Sequence, residues 1–200
     1  MFSATDVARF LACQHTATLD RAESRKEIKK PFFDDPAIEL LQRLGLEHEK
    51  QYLCHLTDTE GLAVTQIDVG ASWQEAASET IRALRSGARA IYQATFLDGP
   101  WRGRADFLIR VDRPSGLGQW SYEVVDTKLA RTAKSGAVIQ LCFYSDLLSR
   151  IQELEPERMY VVLGGGVKAE EFVVQRYIAY YRRIKREIRD RMESRAGYVP

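Results

Sequence analysis

The sequence predicts an α/β protein with a central mixed β-sheet of about five strands flanked by helices. Three observations carry that expectation. β-branched and aromatic runs alternate with stretches of helical period along the chain. Two of these runs, residues 107–111 and 120–125, are joined only by Arg113-Pro-Ser-Gly-Leu-Gly118, a turn-rich segment that marks an antiparallel hairpin. The 200 residues, 45% of them hydrophobic, suffice for one buried core and call for no second domain.

Taken in order, Ser3-Ala-Thr-Asp6 has the form of a capping box with Asp in place of Glu, and Val7, Phe10 and Leu11 follow at helical spacing. This first helix ends near Cys13. Mixed charge with few large apolar residues then predicts surface helix or loop to about residue 30. Pro36 suits the first turn of a helix that runs through Ile38, Leu40, Leu41, Leu44 and Leu46 to about Leu56 and carries His48. Residues 62–69 alternate as a strand, and 72–86 form an amphipathic helix ended by Gly87. The run 90–97 ends at Asp98-Gly-Pro100, so it should pair with the strand 102–111 through a tight turn and begin a three-stranded meander. A helix bearing Gln140 and Tyr144 follows. Strands at 159–163 and 171–175 flank Gly164-Gly-Gly166, a hairpin turn that lacks the Lys-Ser/Thr of a phosphate-binding loop. A helix from about Ala179 closes the chain, and there is no internal repeat.

Charge excludes little. Lys plus Arg number 29 against 28 Asp plus Glu, so the net charge of +1 gives no global nucleic-acid footprint and any such binding must come from local patches. The most basic tract, 182–186 with Arg189 and Arg191, is interrupted by Glu187, Asp190 and Glu193; it reads first as a solvated helix face and second as a DNA-backbone contact. The N-terminus lacks a signal-peptide pattern and no apolar run reaches the ~18 residues of a membrane span, so the expectation is a cytoplasmic protein without a membrane partner. Cys13, Cys54 and Cys142 fit neither a disulfide framework nor a zinc-finger spacing, and the latter two read as buried small hydrophobes.

The chemistry concentrates between Gly103 and Tyr144. A hairpin turn centred near Gly116 sets Asp106 opposite Asp126, and opposed residues of an antiparallel pair share a face with Cβ atoms about 4.5–5.5 Å apart. Alternation sends Lys128 to the side of Asp126 and Thr127 to the other. Two carboxylates so placed repel unless protonated or bridged by a hard cation, which points to Mg²⁺ or Mn²⁺. Such an ion polarises a phosphodiester and acidifies a bound water, while the lysine orients that water and stabilises developing charge. An Asp-x-Lys triplet alone is weak, since an exposed ion pair at a strand end is ordinary. Its spacing to Gly103-Arg-Ala-Asp106 and to Gln140-x-x-x-Tyr144 strengthens it.

Together, Gly103-Arg-Ala-Asp106, Asp126-Thr-Lys128 and Gln140-Leu-Cys-Phe-Tyr144 resemble the RecB-type branch of the PD-(D/E)xK nuclease superfamily, which includes nuclease domains of recombination helicases and CRISPR-associated exonucleases. Ala105 stands where the superfamily's name has proline, and Asp126 where glutamate is also common; neither removes a ligand. The resemblance implies a restriction-endonuclease-like core at 36–178, preceded by a helical segment at 1–35 and followed by a helix at 179–200. It implies a Mg²⁺- or Mn²⁺-dependent DNA exonuclease of repair, recombination or defence, acting on single strands or ends. Asp106 and Asp126 would be metal ligands, Lys128 the water-orienting residue, His48 an auxiliary ligand, and Gln140 with Tyr144 the border of the site. It also implies that Cys13 would join a [4Fe–4S] cluster only in a longer protein, one with a helicase or second nuclease module, and that no cluster forms in this stretch. The alternative is a catalytically inactive nucleic-acid-binding domain of such a protein.

Overall fold

Helix starts follow the capping residues. In the computed structural model, which describes residues 1–24, 26–29 and 35–193, helix α1 (Ala4–Ala12) begins in the Ser3/Asp6 capping box and α4 (Trp73–Arg85) in a Ser72/Glu75 box. Between them lie α2 (Gln14–Ser24) and α3 (Pro36–Cys54), whose Asp35 cap precedes Pro36 in the first turn and which continues into a short π-helical turn at His55–Thr59. Helices α5 (Ser135–Gln152) and α6 (Ile178–Glu193) complete the set. The expected C-terminal helix is therefore present to Glu193, and residues 194–200 lie outside the described residues.

Six strands, rather than about five, stand side by side in chain order: β1 (Val64–Gln66), β2 (Ala90–Asp98), β3 (Trp101–Val111), β4 (Ser121–Lys128), β5 (Arg158–Leu163) and β6 (Ala169–Val173). The strand expected over 62–69 is a short edge piece, β1, three residues long and parallel to β2. The β4–β5 pair is also parallel, with α5 as its connection, and the other three pairs are antiparallel. The sheet is thus mixed and the architecture α/β, as the pattern of elements requires.

One face of the sheet, with Leu108, Val124 and Met159, packs against α1, α4, α5 and α6 in the main core. The other, with Phe107, Val125 and Val162, packs against Tyr52 and Leu56 at the end of α3 and the turn after it. The N-terminal half of α3 behaves differently: Ile38, Leu40, Leu41, Leu44 and Leu46 are all exposed. The periodicity located the helix but not what covers it. Helix α1 is no loose appendage, since Ala4, Val7 and Phe10 are buried in the main core and Phe2 packs on Trp101.

Strand alternation reverses once. On β3, Trp101 and Ala105 belong to the main core and so does Leu108, whereas Phe107 belongs to the opposite cluster. On β2, Ile91 and then Ala94 and Phe96 face the main core, with Tyr92 opposite. Side chains separated by an odd number of residues share a face only if the pleat is broken between them. The break falls at Gln93, which has φ of 58°, and at Asp106 across from it, where the β2–β3 ladder skips one pair. The pairing count is unchanged, so both strands switch faces together.

Candidate active site

Asp106 sits at that switch. Its Oδ2 accepts from both the backbone N–H and the hydroxyl of Thr127, each at 2.8 Å. The β3–β4 ladder runs from Val111↔Ser121 to Phe107↔Val125, and the next step of the same register would set Asp106 opposite Asp126, as the hairpin predicts. The Asp106 carboxylate holds the Thr127 N–H where the ladder ends, so the strands part at the acids. Thr127 points away from Asp126 by alternation, yet it is the group that fixes Asp106. Sequence reasoning missed that role because it depends on the local break in the pleat.

Asp126 is 1% exposed. Its Oδ2 forms an ion pair with the Lys128 ammonium, its one partner among the described residues. Burial, then the charge of Asp106, push its pKa up to about 7 against the pull of Lys128. Lys128 ends β4 with its side chain about one-third exposed, spanning from the buried acid to solvent.

A third carboxylate joins from α3. Glu49 is 8% exposed, and its pKa is raised by burial and by Asp106, against hydrogen bonds from Tyr92 and Gln93. The Gln93 amide donates to Glu49 Oε1, so the residue with the left-handed backbone is also the one that tethers this acid. A non-glycine residue at positive φ is maintained only when its surroundings enforce it, and such positions gather at functional sites. Glu49 follows His48 directly, but adjacency on a helix is no signal; only the tertiary contact with β2 identifies it.

His48 is buried on the α3 face, with Nε2 3.2 Å from the carbonyl of Val162. A carbonyl accepts only, so Nε2 carries the proton and Nδ1 remains for any ligand role. Gln140 and Tyr144 lie on α5, one turn apart. Tyr144 is buried; burial first, then Asp126 and Asp106, hold its phenol protonated far above the ordinary range. The glycine of Gly103-Arg-Ala-Asp106 has a steric reason. A Cβ there would lie 2.7 Å from Tyr144 and 2.9 Å from Phe143, so only glycine lets α5 lie flat on β3. Gly164 acts similarly beyond Lys128: its N–H bonds Ala130, and a Cβ would meet the Leu129 carbonyl at 2.2 Å.

Of the cysteines, Cys142 is buried as expected. Cys54 is exposed, a correction to its reading as a core residue: at the end of α3 it falls off the stripe formed by His48, Tyr52 and Leu56. Cys13, the exposed C-cap of α1, lies far along the sequence from both.

The donor set suits a sparse metal site. Among the described residues, no three His, Cys, Asp or Glu side chains form a ready-made cage. Magnesium requires none, since it retains several waters and takes one or two carboxylates together with substrate phosphate oxygens. A buried Asp126 carboxylate paired with Lys128, with Asp106 and Glu49 near enough to raise its pKa, fits that pattern. Among the described residues no helix is long and apolar enough to cross a membrane.

No family model and no curated protein matches this chain. One solved structure, described as the crystal structure of SSO0001, is similar over 98% of this chain and 78% of that chain, at 14% identity and a TM-score of 0.42. That likeness is too slight to carry an argument.

Proposed function

We propose that this protein is a Mg²⁺- or Mn²⁺-dependent DNA nuclease with a restriction-endonuclease-like core of the RecB type, acting as an exonuclease on single strands or ends. The observation that carries the reading is the buried Asp126 carboxylate, whose Oδ2 is paired with the Lys128 ammonium while Asp106 and Glu49 are near enough to raise its pKa. A buried carboxylate crowded by other acids is what a cation-binding centre requires.

Asp106 and Asp126 would hold the ion, which supplies Lewis-acid polarisation of the phosphodiester and a more acidic bound water. Asp106 is suited to the task because the two Thr127 donors fix its orientation while its other oxygen stays available. The Lys128 ammonium, at the mouth of the site, orients the attacking water and opposes the charge that grows on the phosphate in the transition state. Glu49, whose carboxyl pKa is raised by burial and by Asp106, adds a third acid next to Asp106. Gln140 and Tyr144 wall the centre on the α5 side, and His48 braces α3 against β5.

The test is incubation of purified protein with end-labelled single- and double-stranded DNA in Mg²⁺, in Mn²⁺ and in chelator, alongside Lys128→Ala. Cleavage that needs the ion and is lost in Lys128→Ala is expected. Cleavage that persists in chelator or in the variant would refute the reading, as would no cleavage by the wild type.

A further inference from the structure

A second polar centre lies further along α5, around Asp146, and the catalytic reading makes no use of it. Asp146 is 5% exposed, and three cations surround it: Lys185 Nζ at 2.7 Å, Arg182 Nε at 3.3 Å and Arg150 at 3.7 Å. Arg182 also pairs with Glu155, and Arg150 with Asp98. Lys185 lies 5.0 Å above the ring of buried Trp101, which forms part of the floor. These groups line a cleft of about 440 Å³ between α5, α6 and the β2–β3 turn.

Arg186 and Arg189 also line the cleft, one helical turn apart and exposed, and among the described residues neither has an ion pair or hydrogen bond. Five cations thus line it against two acids, Asp98 and Asp146. Asp146 is enclosed by its own cations, so its charge turns inward and the excess positive charge faces solvent. Guanidinium groups bind phosphate bidentately, which suits two unpaired arginines on one edge. The only aromatic residue in the lining, Trp101, is too buried to stack on a base. The cleft therefore favours a phosphate backbone over base recognition.

We propose that this cleft anchors the phosphodiester backbone of the DNA strand at a distance from the cleavage centre, with Arg186 and Arg189 as the contacting residues and Asp146 as the buried support that positions the other cations. The charge of the cleft stands alone, but the choice of DNA as its partner rests on the nuclease reading. Trp101 is five residues from Asp106 along β3, a separation of about 17 Å at ~3.4 Å per residue. That spacing is about five nucleotide steps of a B-form strand, so one short segment would reach both places.

The experiment measures fluorescence anisotropy of labelled single- and double-stranded DNA in chelator, where nothing is cut, as a function of salt. Arg186→Ala/Arg189→Ala should weaken binding roughly tenfold or more and reduce the slope of log affinity against log salt by about 1.4 for a single strand. Arg183→Ala, on the same helix but outside the cleft and paired with Glu187, should change neither. Inorganic phosphate and ATP should compete only at concentrations far above the DNA. Unchanged binding in the double variant, equal loss in Arg183→Ala, or competition by free phosphate as effective as DNA would overturn the proposal; so would a wild type that binds no DNA. Because binding is read without cleavage, a protein that binds through Arg186 and Arg189 but does not cut would refute the nuclease reading alone.

Discussion

Asp126, on β4, and Asp146, on α5, are both buried carboxylates, and their surroundings are opposite. Asp146 has three cations within ion-pair distance, and both its oxygens are engaged. Asp126 has one lysine, with two further acids close enough to raise its pKa. A buried charge is tolerable when its lone pairs are satisfied, as at Asp146, and costly when they are not. The protein therefore gives up stability at one carboxylate and secures it at the other.

The comparison breaks most visibly under mutation. Asp126→Asn and Lys128→Ala should each lower cleavage by about 10²–10³-fold or more, the scale of removing a group that stabilises transition-state charge. Only Asp126→Asn should also weaken Mn²⁺ binding, because an ammonium is not a ligand for a hard cation. Calorimetric titration separates the two, and equal loss of affinity would refute the assigned roles. Asp146→Ala should instead act on stability, at about 3–5 kcal/mol for an opened buried pair, visible as a fall in Tm of roughly 10 °C. A smaller loss, within ~1 kcal/mol, would make the Asp146 cluster an ordinary surface pair.

Gly103→Ala should cost about 1–3 kcal/mol as its methyl displaces Tyr144 and Phe143 and lifts α5 from β3. Activity should fall with it, because α5 carries the wall of the site. Denaturant midpoints and cleavage rates on the same sample check both effects.

A further effect is expected in pH. Folding raises the Asp126 pKa from its ordinary value to about 7, so the folded state binds the extra proton between those limits. Stability is then fully present below about pH 4, declines as pH rises and is flat again above about pH 7. In metal-free buffer Tm should drop by several degrees across that interval, on the order of 2–4 °C per kcal/mol, and Asp126→Asn should flatten the profile. An identical profile in the variant would assign the dependence to other groups such as Glu123, whose pKa burial also raises.

How much of this was legible follows from the range of the interactions. Capping boxes at Ser3 and Ser72 and the turn at Asp98-Gly-Pro100 are local, and they lie where the residue types put them. The β3–β4 hairpin was also legible, because it is short and its turn residues are distinctive. The reversal of strand faces was not: nothing in Tyr92-Gln-Ala94 marks Gln93 for a left-handed backbone. With it went Glu49 and Thr127, whose roles depend on that break. Nothing in the sequence singled out Asp146, since Arg182 and Lys185 come from α6, more than 30 residues on. Cys54 and the exposed leucines of α3 show the same limit from the other side: periodicity identifies a helix but cannot say which part of its face is covered.

The most direct measurement is thermal unfolding at pH 8 with and without saturating Mg²⁺ or Mn²⁺, for the wild type, Asp126→Asn and Asp146→Asn. At about 100 times Kd a ligand that binds only the folded state adds ~2.7 kcal/mol, or roughly 5–10 °C in Tm for a domain of this size. The ion should raise the Tm of the wild type by that amount. It should raise that of Asp146→Asn by the same increment from a lower start, and leave Asp126→Asn unmoved. No shift in the wild type, or an equal shift in Asp126→Asn, would contradict a cation site at Asp126.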